Sequence, residues 1–188
     1  MPHVISPAKP RYHGLKVTRE EYLDLEEDGF LYDMIDGVLY MSPSAFIEHN
    51  EAISQMLRVL GNYFYEKKSG KAIVETDVYL PDGGDVLRPD ISVILKENYG
   101  IMKGHIHGVP DMVVEVLSNS TRNRDLTVKA DRYLKNGIKE FWLADPNEKQ
   151  ISMRVNINNT SWDIVEGNIL KSRLLTGFEL NKDLVFEE

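Results

Sequence analysis

The stretch "PDMVVEVLSNSTRNRDLTVKADRYLKNGIKEFWLAD" at residues 110–145 constrains the fold more than any other. It holds an apolar run, Met112–Leu117, then a helical segment from about Arg122 to Asn136, then a second apolar run, "KEFWLAD". Ser120 or Thr121 can cap the helix, because a hydroxyl there accepts from the free N–H groups of the first turn. Gly137 suits the left-handed residue that ends it. Two strands separated by a helix this long cannot form a tight hairpin, so they pair in parallel through a crossover. The expected chain is therefore α/β, with a central mixed β-sheet flanked by helices.

The remaining elements fit that frame. Thr18 with Glu21 three residues on is a capping-box signature, which places a short helix running to Asp28 and stopping at Gly29. "FLYDMIDGVLYMS" reads as a hairpin turning at Asp36-Gly37. From about Ala45 to Lys68, Ile53, Met56, Leu57, Leu60 and Phe64 form one stripe of a long helix, ended by Gly70. Strands are expected at Ala72–Leu80 and Ile91–Leu95 around the turn "PDGGD", and residues 96–110, with "GHIHG", read as a mobile loop. After Asp145-Pro146 come short strands, "ISMRV", "SWDIV" and "ILKSRLL", expected to extend one sheet edge. Trp142 and Tyr133 are assigned to the core.

Composition narrows the function classes. The absence of cysteine rules out disulfides and thiolate metal sites and fits a cytoplasmic protein. "MPHVISPAKPRYHG" lacks a signal peptide's apolar centre, and no stretch reaches the roughly 18–20 apolar residues of a membrane span. A net charge of -8 argues against a general nucleic-acid coat protein but leaves room for a local basic site. Charge is uneven: acids crowd residues 18–28, whereas Arg122, Arg124, Lys129, Arg132, Lys135 and Lys139 crowd residues 122–139. From charge alone, these read as two solvated faces of opposite sign.

Two acids resist that reading. Asp90 opens the run "RPDISVIL", and Glu115 interrupts Met112–Leu117. Carboxylates are rarely left inside apolar strands without a partner. If neighbouring strands bring them within about 4 Å, they repel by about 4 kcal/mol at an effective dielectric near 20. A hard divalent cation would remove the conflict, since Mg²⁺ takes one or two carboxylates with water and phosphate oxygens. The alternative is that Arg88 and a strand-end group satisfy the acids separately, and spacing alone leaves both open. His105 and His107 have the spacing of a metal pair, with no third ligand evident.

Pro89-Asp90 followed by Glu115 in an apolar strand resembles the PD-(D/E)xK nuclease superfamily, whose fold is restriction-endonuclease-like. More closely, "RPD", "PDMVVEVLSNST", "RDLTVKADRYLKNGIKEFWLADP" and "YDMIDGVLYMSP" with His49 resemble the Uma family of endonucleases, formerly a domain of unknown function. The resemblance covers about residues 18–156. It implies a single domain over 1–188, with a nuclease-like core at about 18–156 and a C-terminal β extension at about 157–188.

The superfamily places a lysine two residues after the second acid, where this chain has Leu117. The Uma pattern carries it on the following helix, which maps to Lys129. Asp125, Lys129, Arg132 and Tyr133 are spaced to lie near one helical face; without the resemblance, Lys129 would be read as pairing with Asp125. The resemblance implies a metal-dependent endonuclease in which Asp90 and Glu115 hold Mg²⁺ or Mn²⁺, with Val116 supplying a carbonyl, Lys129 acting in catalysis, and His49 and Asp125 as further site residues. Arg88, Arg122, Arg124, Arg132 and Lys135 would contact nucleic acid, with DNA the expected polymer and a homodimer allowed. Glu48 and Glu51 are unranked further acids. A catalytically inactive nucleic-acid-binding or interaction module on the same fold is the alternative. Lys129→Met is expected to leave folding intact.

Overall fold

The computed structural model describes residues 9–81 and 84–186. A six-stranded mixed sheet forms its centre, in the order β12–β11–β10–β9–β6–β3. These strands are β3 (Gly70–Val74), β6 (Ile91–Leu95), β9 (Met112–Val116), β10 (Glu140–Asp145), β11 (Gln150–Ile157) and β12 (Ser161–Glu166). The expected parallel pair is present, with Glu115 beside Leu143 in the β9–β10 register. Every residue of β9 and β10 is buried, as central strands covered on both faces require.

On one face lies α2 (Ile47–Lys67), whose Ala52, Ile53, Met56, Leu60 and Phe64 pack on Ile91, Val93, Val114 and Trp142. Lys68, at φ 54, takes the left-handed position after α2. Gly70, expected to end the helix, instead opens β3, and its lack of a side chain matters there. A Cβ would meet Phe64 Cε1 at 2.7 Å and the Ile94 carbonyl at 2.8 Å.

On the other face, α3 (Arg122–Arg124), a π-helical turn (Asp125–Lys129) and α4 (Ala130–Lys135) form one continuous helical run. Ala130 and Tyr133 from this run join Val113, Leu117, Phe141 and Leu143 in a second core. Its start carries no side-chain cap from Thr121; Ser118 Oγ accepts from the Thr121 N–H at 3.2 Å instead.

A second sheet has the order β2–β1–β5–β4–β8–β7. Its hairpin, β1 (Leu31–Ile35) and β2 (Val38–Ser42), turns at Asp36-Gly37, with φ of 51 and 75. Short strands β4 (Val78–Tyr79), β5 (Val86–Leu87), β7 (Met102–Lys103) and β8 (His105–His107) complete it. The strand expected at Ala72–Leu80 is thus two strands, β3 and β4, in different sheets. The break falls at Glu75, whose φ is 43. The turn expected at "PDGGD" falls partly outside the described residues.

Three other expectations are corrected. Helix α1 (Arg19–Leu23) has both capping-box hydrogen bonds but stops five residues before Asp28. Its residues are never fully buried, so packing does not prolong it. Residues 96–110 are ordered by a 3₁₀ helix over Lys96–Ile101 and by β7 and β8. Buried Asp111 fastens that segment, accepting from Leu95 N at 2.8 Å and Asn98 Nδ2 at 2.8 Å. Of the C-terminal strands, β11 and β12 extend the main sheet, but β13 (Ile169–Lys171) pairs with β14 (Glu179–Asn181) in a separate ribbon.

Buried Glu140 anchors the segment between β13 and β14. Oε1 accepts from Arg173 N at 2.6 Å and Leu174 N at 2.9 Å; Oε2 accepts from Trp142 Nε1 at 2.9 Å and Ser172 Oγ at 2.8 Å. Removing the carboxylate leaves these donors without their acceptor, each at a cost of about 1–3 kcal/mol where water cannot reach. Glu140→Ala should lower unfolding free energy in urea by at least ~3 kcal/mol. A loss below ~1 kcal/mol would mean that water replaces the anchor.

Candidate active site

The antiparallel register of β6 and β9 sets Ile91 opposite Val114, so the next pair outward is Asp90 and Glu115. Both line a cavity of about 690 Å³, together with Val116, His49, Asp125 and Lys129. The two acids that stood out in apolar strands therefore meet at one place.

Each takes its protein partners on one oxygen. Asp90 Oδ2 accepts from the Val116 backbone N–H at 2.6 Å and lies 3.6 Å from His49 Nε2. Glu115 Oε1 accepts from Lys129 Nζ at 3.0 Å and from the Tyr133 hydroxyl at 2.6 Å. Among the described residues, Asp90 Oδ1 and Glu115 Oε2 receive no hydrogen bond. Arg88 is not the partner of Asp90: its guanidinium lies 2.7 Å from Asp77 Oδ1.

Lys129 is the centre of the charge arrangement. Only 4% exposed, its ammonium lies 3.0 Å from Glu115, 3.5 Å from Asp33 and 3.6 Å from Asp125. The π-helical turn that contains Asp125 and Lys129 buries both residues, and such turns recur at functional sites. Burial disfavours the ammonium, but Asp33, Glu115 and Asp125 more than offset it and hold Lys129 above the ordinary lysine range. These three carboxylates favour the charged ammonium at Lys129.

The acids respond in the opposite sense. Burial pushes Asp90 up to about 6, against the lowering influence of His49 and the Val116 N–H. Burial also raises Glu115, and the charges of Asp125 and Asp90 add to that rise against Lys129. Among the described residues, Asp33, Asp90, Glu115 and Asp125 face Lys129 and Arg124 as nearby permanent cations, so the cluster has surplus negative charge when all four acids are ionised.

Asp33 was not singled out in the sequence. It is wholly buried on β1, accepts from Arg88 N at 2.9 Å, and lies 3.4 Å from Arg124. Its signal was the one that exposed the other two acids: a carboxylate inside an apolar strand, "LYDMI". Ser118, Ser120 and Thr121 also line the cavity, a consequence of the tight turn after β9.

The expected basic set divides. Arg88 and Arg124 line the cavity, whereas Arg122, Arg132 and Lys135 do not. Arg122 pairs with Asp145. Arg132, expected on the face of Lys129, instead clamps the β1–β2 turn through Asp36 at 2.6 Å and Asp85 at 2.7 Å. Lys135 pairs with Asp131 at 2.9 Å. Glu48 and Glu51 are exposed and lie outside the cavity lining. Tyr133 is in the core, as expected, but its hydroxyl serves Glu115. His105 and His107 flank Tyr79, with ring centroids 5.6 and 4.8 Å away, and among the described residues no third ligand joins them.

This arrangement belongs to an α/β protein of the nuclease-like fold. The crystal structure of "a putative nuclease belonging to DUF820" from Anabaena variabilis matches with a TM-score of 0.77 at 20% identity, covering 90% of this chain and 97% of that one. The chain belongs to the Uma2 family, described as "putative restriction endonuclease", whose family model matches residues 19–181. That span takes in the C-terminal strands as well as the motifs that first suggested the resemblance. Comparison with curated proteins finds no match.

Proposed function

We propose that the chain is a metal-dependent endonuclease that hydrolyses nucleic-acid phosphodiesters. The observation that carries this reading is the position of Lys129. Leu117 occupies the usual lysine place, yet an ammonium from the next helix reaches Glu115 at 3.0 Å. Family membership and the nuclease-like fold support the same reaction class.

The residues fit a hard divalent cation. Among the described residues, Asp90 and Glu115 each keep one oxygen without a protein hydrogen bond, and burial beside other carboxylates raises both, a conflict that a bound cation would relieve. No group of three or more histidine or carboxylate ligands suitable for an ion is found among the described residues. Two carboxylates, with the Val116 carbonyl and oxygens from water and phosphate, match what Mg²⁺ or Mn²⁺ accepts. Such an ion would supply Lewis acidity and lower the pKa of a bound water.

The chain's own groups do the rest. Lys129 orients the attacking water or stabilises the charge that builds on the phosphate, as a positioned cation can. Tyr133 holds the Glu115 carboxylate in place, and the Val116 N–H does the same for Asp90. Arg124 stands at the cavity wall, where it can meet a flanking phosphate. DNA is the polymer we expect.

Nicking of a supercoiled plasmid in Mn²⁺ tests this. Cleavage that stops with chelator and in Asp90→Ala is the expected result. Salt-sensitive binding without cleavage in either metal would instead support an inactive binding module.

A further inference from the structure

A second cavity, of about 250 Å³, adjoins the first and shares Phe30, Leu31 and Arg88 with it. Five aromatic residues line it, Tyr12, Tyr22, Phe30, Tyr32 and Tyr79, together with the carboxylates of Glu26, Glu27, Asp28 and Asp77. Polar groups stand among them: the Tyr22 hydroxyl lies 3.2 Å from Asp77 Oδ2, and Asp77 also holds the Arg88 guanidinium. Burial and Asp77 raise Tyr22 far above the usual phenol range, so its hydroxyl stays neutral. Aromatic rings beside carboxylates that can accept from a base's N–H groups offer a nucleobase both contact and hydrogen bonds.

The surroundings of the catalytic cavity point the same way. A protein that grips duplex DNA through its backbone needs several free cations. Here the two arginines that line the cavity face carboxylates already, Arg88 at 2.7 Å from Asp77 and Arg124 at 3.4 Å from Asp33. Large apolar side chains stand exposed instead: Phe46 at 75%, on the cavity wall, with Ile47 at 73% beside it. Exposed aromatic and aliphatic groups gain energy from bases that are unstacked, not from phosphates.

We propose that the aromatic side pocket takes a nucleobase of the strand being cut, so that the preferred substrate presents an unpaired base beside the scissile phosphate. The proposal rests on the nuclease reading only in taking the cavity's occupant to be nucleic acid. Arg88 links the two places, since its backbone N–H is held by Asp33 of the catalytic cluster while its side chain forms part of the pocket.

The test compares binding, without added metal, of one labelled oligonucleotide as a single strand, a duplex with a one-base bulge, and a perfect duplex. A 2-aminopurine at the bulge reports stacking by its fluorescence. One base stacked on aromatic rings contributes about 1–3 kcal/mol, so the first two forms should bind about 5–150-fold more tightly than the perfect duplex. Leu31→Trp fills the shared mouth from an exposed position and should bring the three affinities together without lowering Tm. Phe46→Ala should weaken binding of the bulged form most.

Equal affinity for all three forms of substrate, binding of none, or a preference that survives Leu31→Trp would overturn the proposal. The nuclease reading fails separately: tight binding of unpaired strands with no cleavage in Mn²⁺ would remove the enzyme and leave the base pocket. Equal cleavage of single strand and perfect duplex would do the reverse.

Discussion

Lys129→Met is expected to lower the cleavage rate by about 10²–10³-fold, the scale of losing one donor that serves the transition state. The same change should destabilise the protein, contrary to what the sequence suggested. An exposed Lys129–Asp125 pair would have been worth under ~1 kcal/mol. In the structure Lys129 is buried among Asp33, Glu115 and Asp125, and removing it leaves carboxylates without their main compensating charge. Losing one side of a buried pair costs about 3–5 kcal/mol. Cleavage is therefore best compared at a temperature where both proteins are folded, with circular dichroism as the check. Lys135→Met is the matched control. Its side chain is largely exposed and pairs with Asp131, so both stability and cleavage should stay close to wild type. Equal losses in the two variants would make the helix a phosphate-binding surface with no special lysine.

Asp90→Asn should raise the melting temperature of the metal-free protein at neutral pH. The wild-type carboxyl is pushed from 3.8 up to about 6 in the folded state, so the fold favours its protonated form. Above about pH 6 the folded protein holds an ionised acid in an unfavourable place. That cost shrinks as the pH falls from about 6 and is gone below 3.8, where Asp90 is protonated in both folded and unfolded chains. A shift of this size corresponds to about 3 kcal/mol at most. Asparagine keeps an acceptor for the Val116 N–H without the charge. The variant should therefore melt above wild type at pH 7–8, and the gap should narrow as pH falls from about 6 toward 3.8. Mg²⁺ or Mn²⁺ should reverse the order. At about 100 times its dissociation constant, a ligand adds about 2.7 kcal/mol, which is roughly 5–10 °C for a chain of this length. In Asp90→Asn most of that gain should be absent. An equal metal-induced shift in both proteins would place the cation elsewhere.

Much of this site could be read from residue pattern, because β-strands advertise misplaced charge. Asp90 and Glu115 broke apolar runs, and a parallel crossover from Met112–Leu117 to "KEFWLAD" carried the basic helix over the sheet. The same rule applies to Asp33 in "LYDMI", although a carboxylate three residues before a hairpin turn stands out less than one inside a longer apolar run. Less legible was the fate of the other bases. Helical spacing places Arg132 near Lys129, but long side chains choose partners across the fold. Arg132 reaches Asp85, 47 residues away in sequence. Nor does spacing announce a π-helical turn, because the ladder of hydrogen bonds leaves little trace in residue type. The split of residues 70–80 between two sheets was hidden for a related reason: Glu75 adopts positive φ without being glycine. Short strands joined by such a bend have the same apolar pattern as one long strand.

The central claim is that an ammonium delivered by the helix takes the place left by Leu117. Val113, Glu115 and Leu117 alternate on one face of β9 and its continuation, and Leu117 packs in the same core as Val113. A lysine at 117 would therefore start on the same face as the acid it should serve. The decisive measurement is the single-turnover cleavage rate in saturating Mn²⁺ for wild type, Lys129→Met, and Lys129→Met with Leu117→Lys. The account predicts a fall of about 10²–10³-fold in the first variant and a recovery on the order of 10-fold in the second. A Lys129→Met protein that is folded, binds metal and cuts at the wild-type rate would contradict it.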